Sequence, residues 1–450
     1  MTLSRRNLLW SASALGLLLL APRRLVRAAA PDAPRRYLLH LIAQGGLDTA
    51  SMFDARPMAM TAAGKIHNPH NVDPAVWTGT NGQTALAAPP TQALASIRDR
   101  FSVLNGVVMS TTFDGHDQNT NLFLAGSPFG GSSFAATLNT ITPSPLDYVR
   151  LGTIIGAELQ DPRAIPLSEP GFAQLKSGVN ALGKISPFVD DFLASESATL
   201  GSNTKRFGAG VAALDRATLA STDLRERIES VDLGSESDPL DAQLAVVREL
   251  FRLDIARGAM LAINGDDLFF DNHAPQAAQA QAPSYVELCT RIARVFKFLA
   301  ATPFDDTHSL ADVTTVVVGS EFGRTMRQLN NPITNTGTDH NPLSSTVLVG
   351  GAGIRGGLVL GASDFQTANE TLSGAHTTLD PENVKVMGRP FDFSAAAPRS
   401  DRPAGFAATD YLQIASVINT IYSLFGVESA AWRLTERGGD AAPVIHDLLA

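Results

Sequence analysis

A chain of 450 residues suffices for one large domain or two ordinary ones, and 44% hydrophobic against 18% charged residues describes a well-buried globular protein, not a disordered or fibrous one. The formal charge is −9, and loss of the five arginines among the first thirty residues takes it to about −14, which argues against nucleic acid as a partner because phosphate binding needs a basic face. A single cysteine, Cys289, excludes an intramolecular disulfide and any cysteine-based zinc or iron–sulfur centre.

The N-terminus has the build of an export signal. Arg5 and Arg6 precede an apolar run from Leu8 to Ala21, and Arg23, Arg24, Arg27 and then Ala28-Ala29-Ala30 follow it. A charged start, a short apolar middle and a small-residue end are the parts of a cleaved leader. The paired arginines point to the Tat route, with the Tat translocase as partner during export and a periplasmic or secreted product. The apolar run falls short of the roughly twenty residues that span a bilayer. Residues 1–30 are therefore set apart from the fold, which begins after them.

Tyr37 to Ala43 form a compact apolar strand, and Gly45-Gly46 permit a sharp turn before Asp48. Asp48 then suits either a metal ligand at the strand's end or a cap on the next turn. His67 and His70 are three apart, but Asn68 and Pro69 between them make a loop, and a solvated pair is expected. Thr91 to Arg100 reads as a helix and Phe101 to Asn105 as a second strand. Beyond it, Ser110, Thr111, Thr112, Asp114, His116 and Asp117 crowd the approach to a helix expected over Asn119 to Ala125. A helix N-terminus favours anions, so this is where a nucleophile or oxyanion contact belongs, with His116 the leading candidate.

Residues 144–258 read as largely helical, an insertion or cap, with Asp241 to Arg257 the clearest amphipathic stretch. Met260 to Ile263 make a short third strand, followed by the loop Asp271-Asn272-His273 and an amphipathic helix over Tyr285 to Ala300. The β-branched run Val313 to Val318 is a strand buried on both faces. Strand, helix and strand make a right-handed crossover with parallel strands. Asp271 and His273 should then open on the same rim as Glu321 and Arg324, which follow the Val313 run, and as Asp339-His340, which precede the strand over Ser345 to Val349. Asp48 joins them from the first strand. The fold expected is α/β, a central, mostly parallel sheet flanked by helices.

Carboxylates and imidazoles without thiolate suit one or two divalent ions: Zn²⁺, Mn²⁺ or Fe²⁺, or Ca²⁺ or Mg²⁺ where oxygen dominates. Arg324 either clamps an anionic substrate group or pairs with Glu321 at i, i+3. Gly351-Ala352-Gly353-Ile354-Arg355-Gly356 formally matches a dinucleotide fingerprint, but Gly357 to Gly361 after it read as a short strand where the motif needs a helix, so dinucleotide binding is rejected.

These stretches together resemble a known family. The Tat signal, Gly45-Gly46-Leu47-Asp48, Asp271-Asn272-His273, Ser320-Glu321-Phe322-Gly323-Arg324, Gly337-Thr338-Asp339-His340 and Thr409-Asp410-Tyr411 look like the exported bacterial family of domain of unknown function 1501. The resemblance implies the alkaline phosphatase and sulfatase superfamily, with an alkaline phosphatase-like mixed α/β fold and metal-assisted hydrolysis of phosphate or sulfate esters. It implies metal ligation by Asp48, by the pair Asp271 and His273, by Glu321 in the place of an aspartate and by His340 as the last histidine, while Asp339 is a metal candidate from its place on the rim. Thr112 stands by analogy near the nucleophile position, although the chain has no Cys-x-Pro-x-Arg. The expected partner is an anionic ester, small or polymeric. A non-catalytic envelope protein that binds metal on a degenerate hydrolase fold is the rival.

Overall fold

The computed structural model describes residues 35–62, 68–126, 144–152, 164–166, 227–273, 281–327, 338–365, 383–401, 407–426 and 442–450, less positions 145, 147, 232, 235, 266, 272, 385 and 408. The export signal and much of the 144–258 region lie outside them. Twelve elements carry the architecture: β1 (Tyr37–Ile42), β2 (Phe101–Val107), α1 (His116–Ala125), β3 (Tyr148–Leu151), β4 (Ala164–Pro166), α2 (Pro239–Arg252), β5 (Gly258–Ala262), α3 (Ala282–Ala301), β6 (Thr314–Gly319), β7 (Ser345–Gly351), β8 (Val359–Leu360) and α4 (Ile414–Leu424).

The eight strands form one sheet in the order β8-β2-β7-β6-β1-β5-β3-β4. β7 runs antiparallel to both its neighbours, and every other pair is parallel. The sheet is thus mostly parallel, and helices cover both faces. β1 lies at its middle, wholly buried, and its alternate residues enter two separate cores. Leu39 and Leu41 pack with Leu244, Leu250, Leu288 and Ile292 of α2 and α3. Leu38 and Ile42 face Phe123 of α1 and Val417 and Ile421 of α4. Burial on both faces explains why β1, His40 apart, and β6 are apolar or β-branched runs rather than alternating ones.

The last two strands at one end of the sheet, β3 and β4, fall inside the stretch read as largely helical. They are four and three residues long, too short to carry a strand pattern of their own, and pairing of β3 to β5 and of β4 to β3 is what makes them strands. Thr91 to Arg100 also differs from the expected helix, for Pro89–Ile97 is 3-10 helix opened by two prolines. Val313 closes a short helical turn capped reciprocally by Ser309 and Asp312, so β6 begins one residue later than the sequence suggests. Among the described residues, no helix is long and apolar enough to cross a membrane.

Parallel pairing fixes the site's position. β1, β5 and β6 end on the same rim, β2 ends there too, and antiparallel β7 begins there. The loops 43–48, 108–115, 263–273, 320–325 and 338–344 therefore meet at one edge.

His40 lies in β1 with no exposed surface, its ring 5.5 Å from that of Phe123. Burial holds its imidazole down at about 3. The folded protein keeps it neutral while the unfolded chain protonates it below its ordinary value near 6.5. Stability should therefore fall as pH drops from about 6.5 toward 3, by up to about 1.4 kcal/mol per unit from this group. Urea titrations of the wild type and His40→Leu across pH 4–7 are expected to show a shallower decline in the variant.

Candidate metal centre

The rim is built on the turn after β1. Gly45 and Gly46 have φ of 104° and 80°, which side chains rarely adopt. Their backbones are clamped to the loop after β6. Gly45 N–H donates to Glu321 Oε1 at 2.8 Å, and Gly46 N–H donates to Ser320 Oγ at 3.1 Å. Arg324, 1% exposed, donates Nε to the Gly45 carbonyl at 2.9 Å, and its Nη2 bonds the same carbonyl and Asp271 Oδ1. Arg324 thus ties the loop after β1 to the loop after β5.

Four ligand-type side chains converge above this clamp: His116, Asp271, His273 and His340, with one atom from each lying within 4.8 Å of all the others. His273 Nε2 is 3.1 Å from His340 Nε2 and 3.1 Å from Asp271 Oδ1. His116 Nε2 is 3.4 Å from Asp271 Oδ2. A tetrahedral ion with metal–nitrogen bonds of 2.0–2.1 Å sets its ligand atoms roughly 3.3 Å apart. The donor set suits a divalent ion in its chemistry, and these three separations lie near that value.

His116 is oriented from behind. Its Nδ1 stands 2.7 Å from Glu321 Oε1, which leaves Nε2 turned to the cluster, the carboxylate–histidine arrangement that supports metal ligands. Burial pushes the His116 imidazole down, but the hydrogen bond and charge of Glu321, aided by Asp271, outweigh it and raise the group above its ordinary value. Burial likewise opposes ionisation of Glu321 and Asp271, yet His116 and Ser320 hold Glu321 low, and Arg324 holds Asp271 low. Burial, with the charges of Arg324 and His116 nearby, keeps His340 at about 4, hence neutral and able to ligate at pH 7. Phe322 forms the floor, its ring stacked on His340 at 4.4 Å and tilted against His116 at 4.8 Å.

The other residues singled out from the sequence fall around this cluster. Glu321 reaches it only through His116, with both oxygens taken by Gly45 N–H, Ser320 Oγ–H and the imidazole. Asp48 caps the short 3-10 turn Thr49–Ser51, accepting from Ala50 N–H at 2.9 Å, and burial raises it to about 6. Asp339 is exposed, accepts from the N–H of His340 at 2.8 Å and lies 3.6 Å from His273 Nδ1. Thr112 is exposed, its N–H donating to Ser110 Oγ at 3.0 Å. Arg324 turns to Asp271 and not to Glu321. His116 opens α1, three residues before the expected start of that helix. His70, expected in solvent, is half-buried and bonded to Ser51 Oγ at 3.1 Å, while His67 and Gly337 lie outside the described residues.

Residues that sequence reasoning passed over complete the frame. Ser320 bridges Glu321 and Gly46, and the Tyr285 hydroxyl accepts from Asp48 N–H at 2.7 Å. Nothing local marks the contacts to Gly46 and Asp48, since these partners lie more than two hundred residues away along the chain. The loop 351–356 is occupied structurally: Arg355 N–H donates to the Leu448 carbonyl and Ala450 N–H to that of Gly353.

Residues 264–378 match the model of the family described as Protein of unknown function (DUF1501), the family that the sequence motifs resemble. No curated protein matches the chain. Among solved structures, the lipoteichoic acid synthase LtaP from Listeria monocytogenes is similar at 8% identity and a TM-score of 0.39, over 98% of this chain and 81% of that one. The PsFucS1 sulfatase from Pseudoalteromonas sp. is similar at 9% identity and a TM-score of 0.36, over 99% of this chain and 80% of that one. Superposition at this level leaves the chemistry to be argued from the side chains.

A Cβ on Gly46 would fall 2.5 Å from the Phe322 ring and 2.8 Å from Arg324 Nε, both under the site. Gly82 has a similar φ of 77° but open space around it. Gly46→Ala should lose about 2 kcal/mol or more in urea denaturation, against about 1 kcal/mol for Gly82→Ala, where only backbone strain acts.

Proposed function

We propose that the chain is an exported, metal-dependent hydrolase of a phosphate or sulfate ester. The observation that carries this reading is the convergence of three imidazoles and one carboxylate at the rim where the parallel strands end, with His116 oriented by Glu321. His116, Asp271, His273 and His340 would hold the ion. A divalent ion in such a place supplies Lewis acidity toward an ester oxygen and a bound water of lowered pKa.

The chain's own residues prepare that chemistry. Glu321 fixes the His116 ring, Arg324 fixes the Asp271 carboxylate, and Phe322 closes the floor against water. Substrate would approach from the side of His273 and Asp339, whose side chains are about half exposed. Arg324 acts as a positioning residue, because its guanidinium is buried against Gly45 and Asp271.

One observation favours a second reading, a non-catalytic metal-binding envelope protein. Four protein donors are enough to close a tetrahedral site, whereas catalytic zinc sites keep one position for water. The two readings separate in one experiment. Residues 31–450, purified without chelator or affinity metal, are assayed on aryl phosphates and aryl sulfates with added Zn²⁺, Mn²⁺, Ca²⁺ or Mg²⁺. Turnover is expected, and His340→Ala and Asp271→Asn should each lower it at least about 100-fold with the circular dichroism unchanged. A metal-loaded protein without turnover on any ester would establish the non-catalytic reading. A protein that takes up no ion would end both.

Export rests on the leader sequence alone. Replacing Arg5 and Arg6 by lysine should leave the precursor in the cytoplasm, read by fractionation and immunoblotting. Unimpaired export of that variant would remove the Tat assignment.

A further inference from the structure

We propose that the centre takes a single ion of the zinc type, and that it discriminates against Ca²⁺ and Mg²⁺ and against a second ion alongside. This rests on the metal-binding reading above and goes beyond it in naming the class and number of the ion. The sequence offers carboxylates enough for two ions and for an oxygen-rich site. The structure commits those carboxylates elsewhere.

Glu321 receives Gly45 N–H at 2.8 Å and Ser320 Oγ–H at 2.7 Å, and its bond to His116 occupies the side that faces the cluster. Asp48 is buried and engaged with Ala50 N–H. Asp339 accepts from its neighbour's N–H at the exposed border. Among the described residues, the single group of three or more histidine, cysteine or acidic side chains placed to hold an ion is the one with three imidazoles and one carboxylate. Ca²⁺ takes six to eight oxygen ligands and Mg²⁺ an octahedron of oxygens, whereas imidazole suits zinc and its transition-metal neighbours.

The ground beside the cluster is also taken. The Phe322 ring lies against His116 and His340, and it packs so close to Gly46 that a Cβ there would meet it at 2.5 Å. Arg324 places a fixed positive charge on Asp271, the carboxylate that a second cation would have to share. A bridging position is thereby filled by the Arg324 guanidinium.

Binding measurements test this without reference to turnover. Residues 31–450 are titrated calorimetrically with zinc chloride, then dialysed against zinc with Ca²⁺ or Mg²⁺ in 100-fold excess and analysed for metal. One equivalent of zinc, retained against both competitors, is expected. His273→Ala, whose side chain is half exposed and whose loss should spare the fold, should weaken binding by 100-fold or more. Glu321→Gln should weaken it about 10–100-fold at unchanged stoichiometry. Asp48→Asn and Asp339→Asn should each keep one equivalent. Two equivalents in the wild type, displacement by Ca²⁺ or Mg²⁺, or loss of binding in Asp48→Asn or Asp339→Asn would overturn the inference while leaving the metal-dependent reading in place. Failure to bind any ion would overturn both.

Discussion

The buried guanidinium of Arg324 is the interaction on which the rim depends. It joins the carbonyl of Gly45 to the carboxylate of Asp271, and so fixes the loop after β1 to the loop after β5. Truncation would leave a buried carbonyl without its charged donor and a carboxylate without its counter-charge, a loss well beyond that of an exposed ion pair. Close packing reinforces the joint. A Cβ at Gly45 would lie 2.4 Å from the Asp271 nitrogen, so the two backbones approach as only glycine allows. The three loops hold together as one surface.

That surface lets two carboxylates serve different ends. Asp271 faces the histidines and is kept ionised by Arg324 against the burial that would protonate it. Glu321, fully buried, is kept ionised by His116 and Ser320 and spends its charge on orienting the ring. The cluster is thus pre-organised. Its donors already lie within 4.8 Å of one another, and Glu321 and Arg324 hold two of them from behind.

The sheet supplies the other half of the arrangement. Because β7 alone runs against its neighbours, its starting end joins the finishing ends of β1, β2, β5 and β6. His340 arrives just before β7 and is held by backbone pairing to Arg324. A parallel β7 would have delivered its approach loop, and His340 with it, to the opposite edge.

Much of this was legible in the chain itself. The apolar and β-branched runs named β1, β5, β6 and β7, and the amphipathic stretch of α3 required a right-handed crossover, which put Asp271, His273 and Glu321 on one rim. Periodicity reports burial, and burial on both faces identifies a central strand, so these conclusions needed only local pattern. What local pattern could not reveal was the partner of each side chain. Glu321 finds His116 across 205 residues and Arg324 finds Asp271 across 53, so spacing could not tell a ligand from the residue that orients it. Asp48 was open to both roles until the 3-10 turn beside it took its carboxylate as a cap. The short strands β3 and β4 escaped for a related reason, since three or four residues become a strand only when a neighbour offers its hydrogen bonds. The sequence by itself determined the central elements and the rim on which Asp271, His273 and Glu321 open. Only the tertiary structure decided which of the charged residues there face one another, because electrostatic and hydrogen-bond partners are chosen in space.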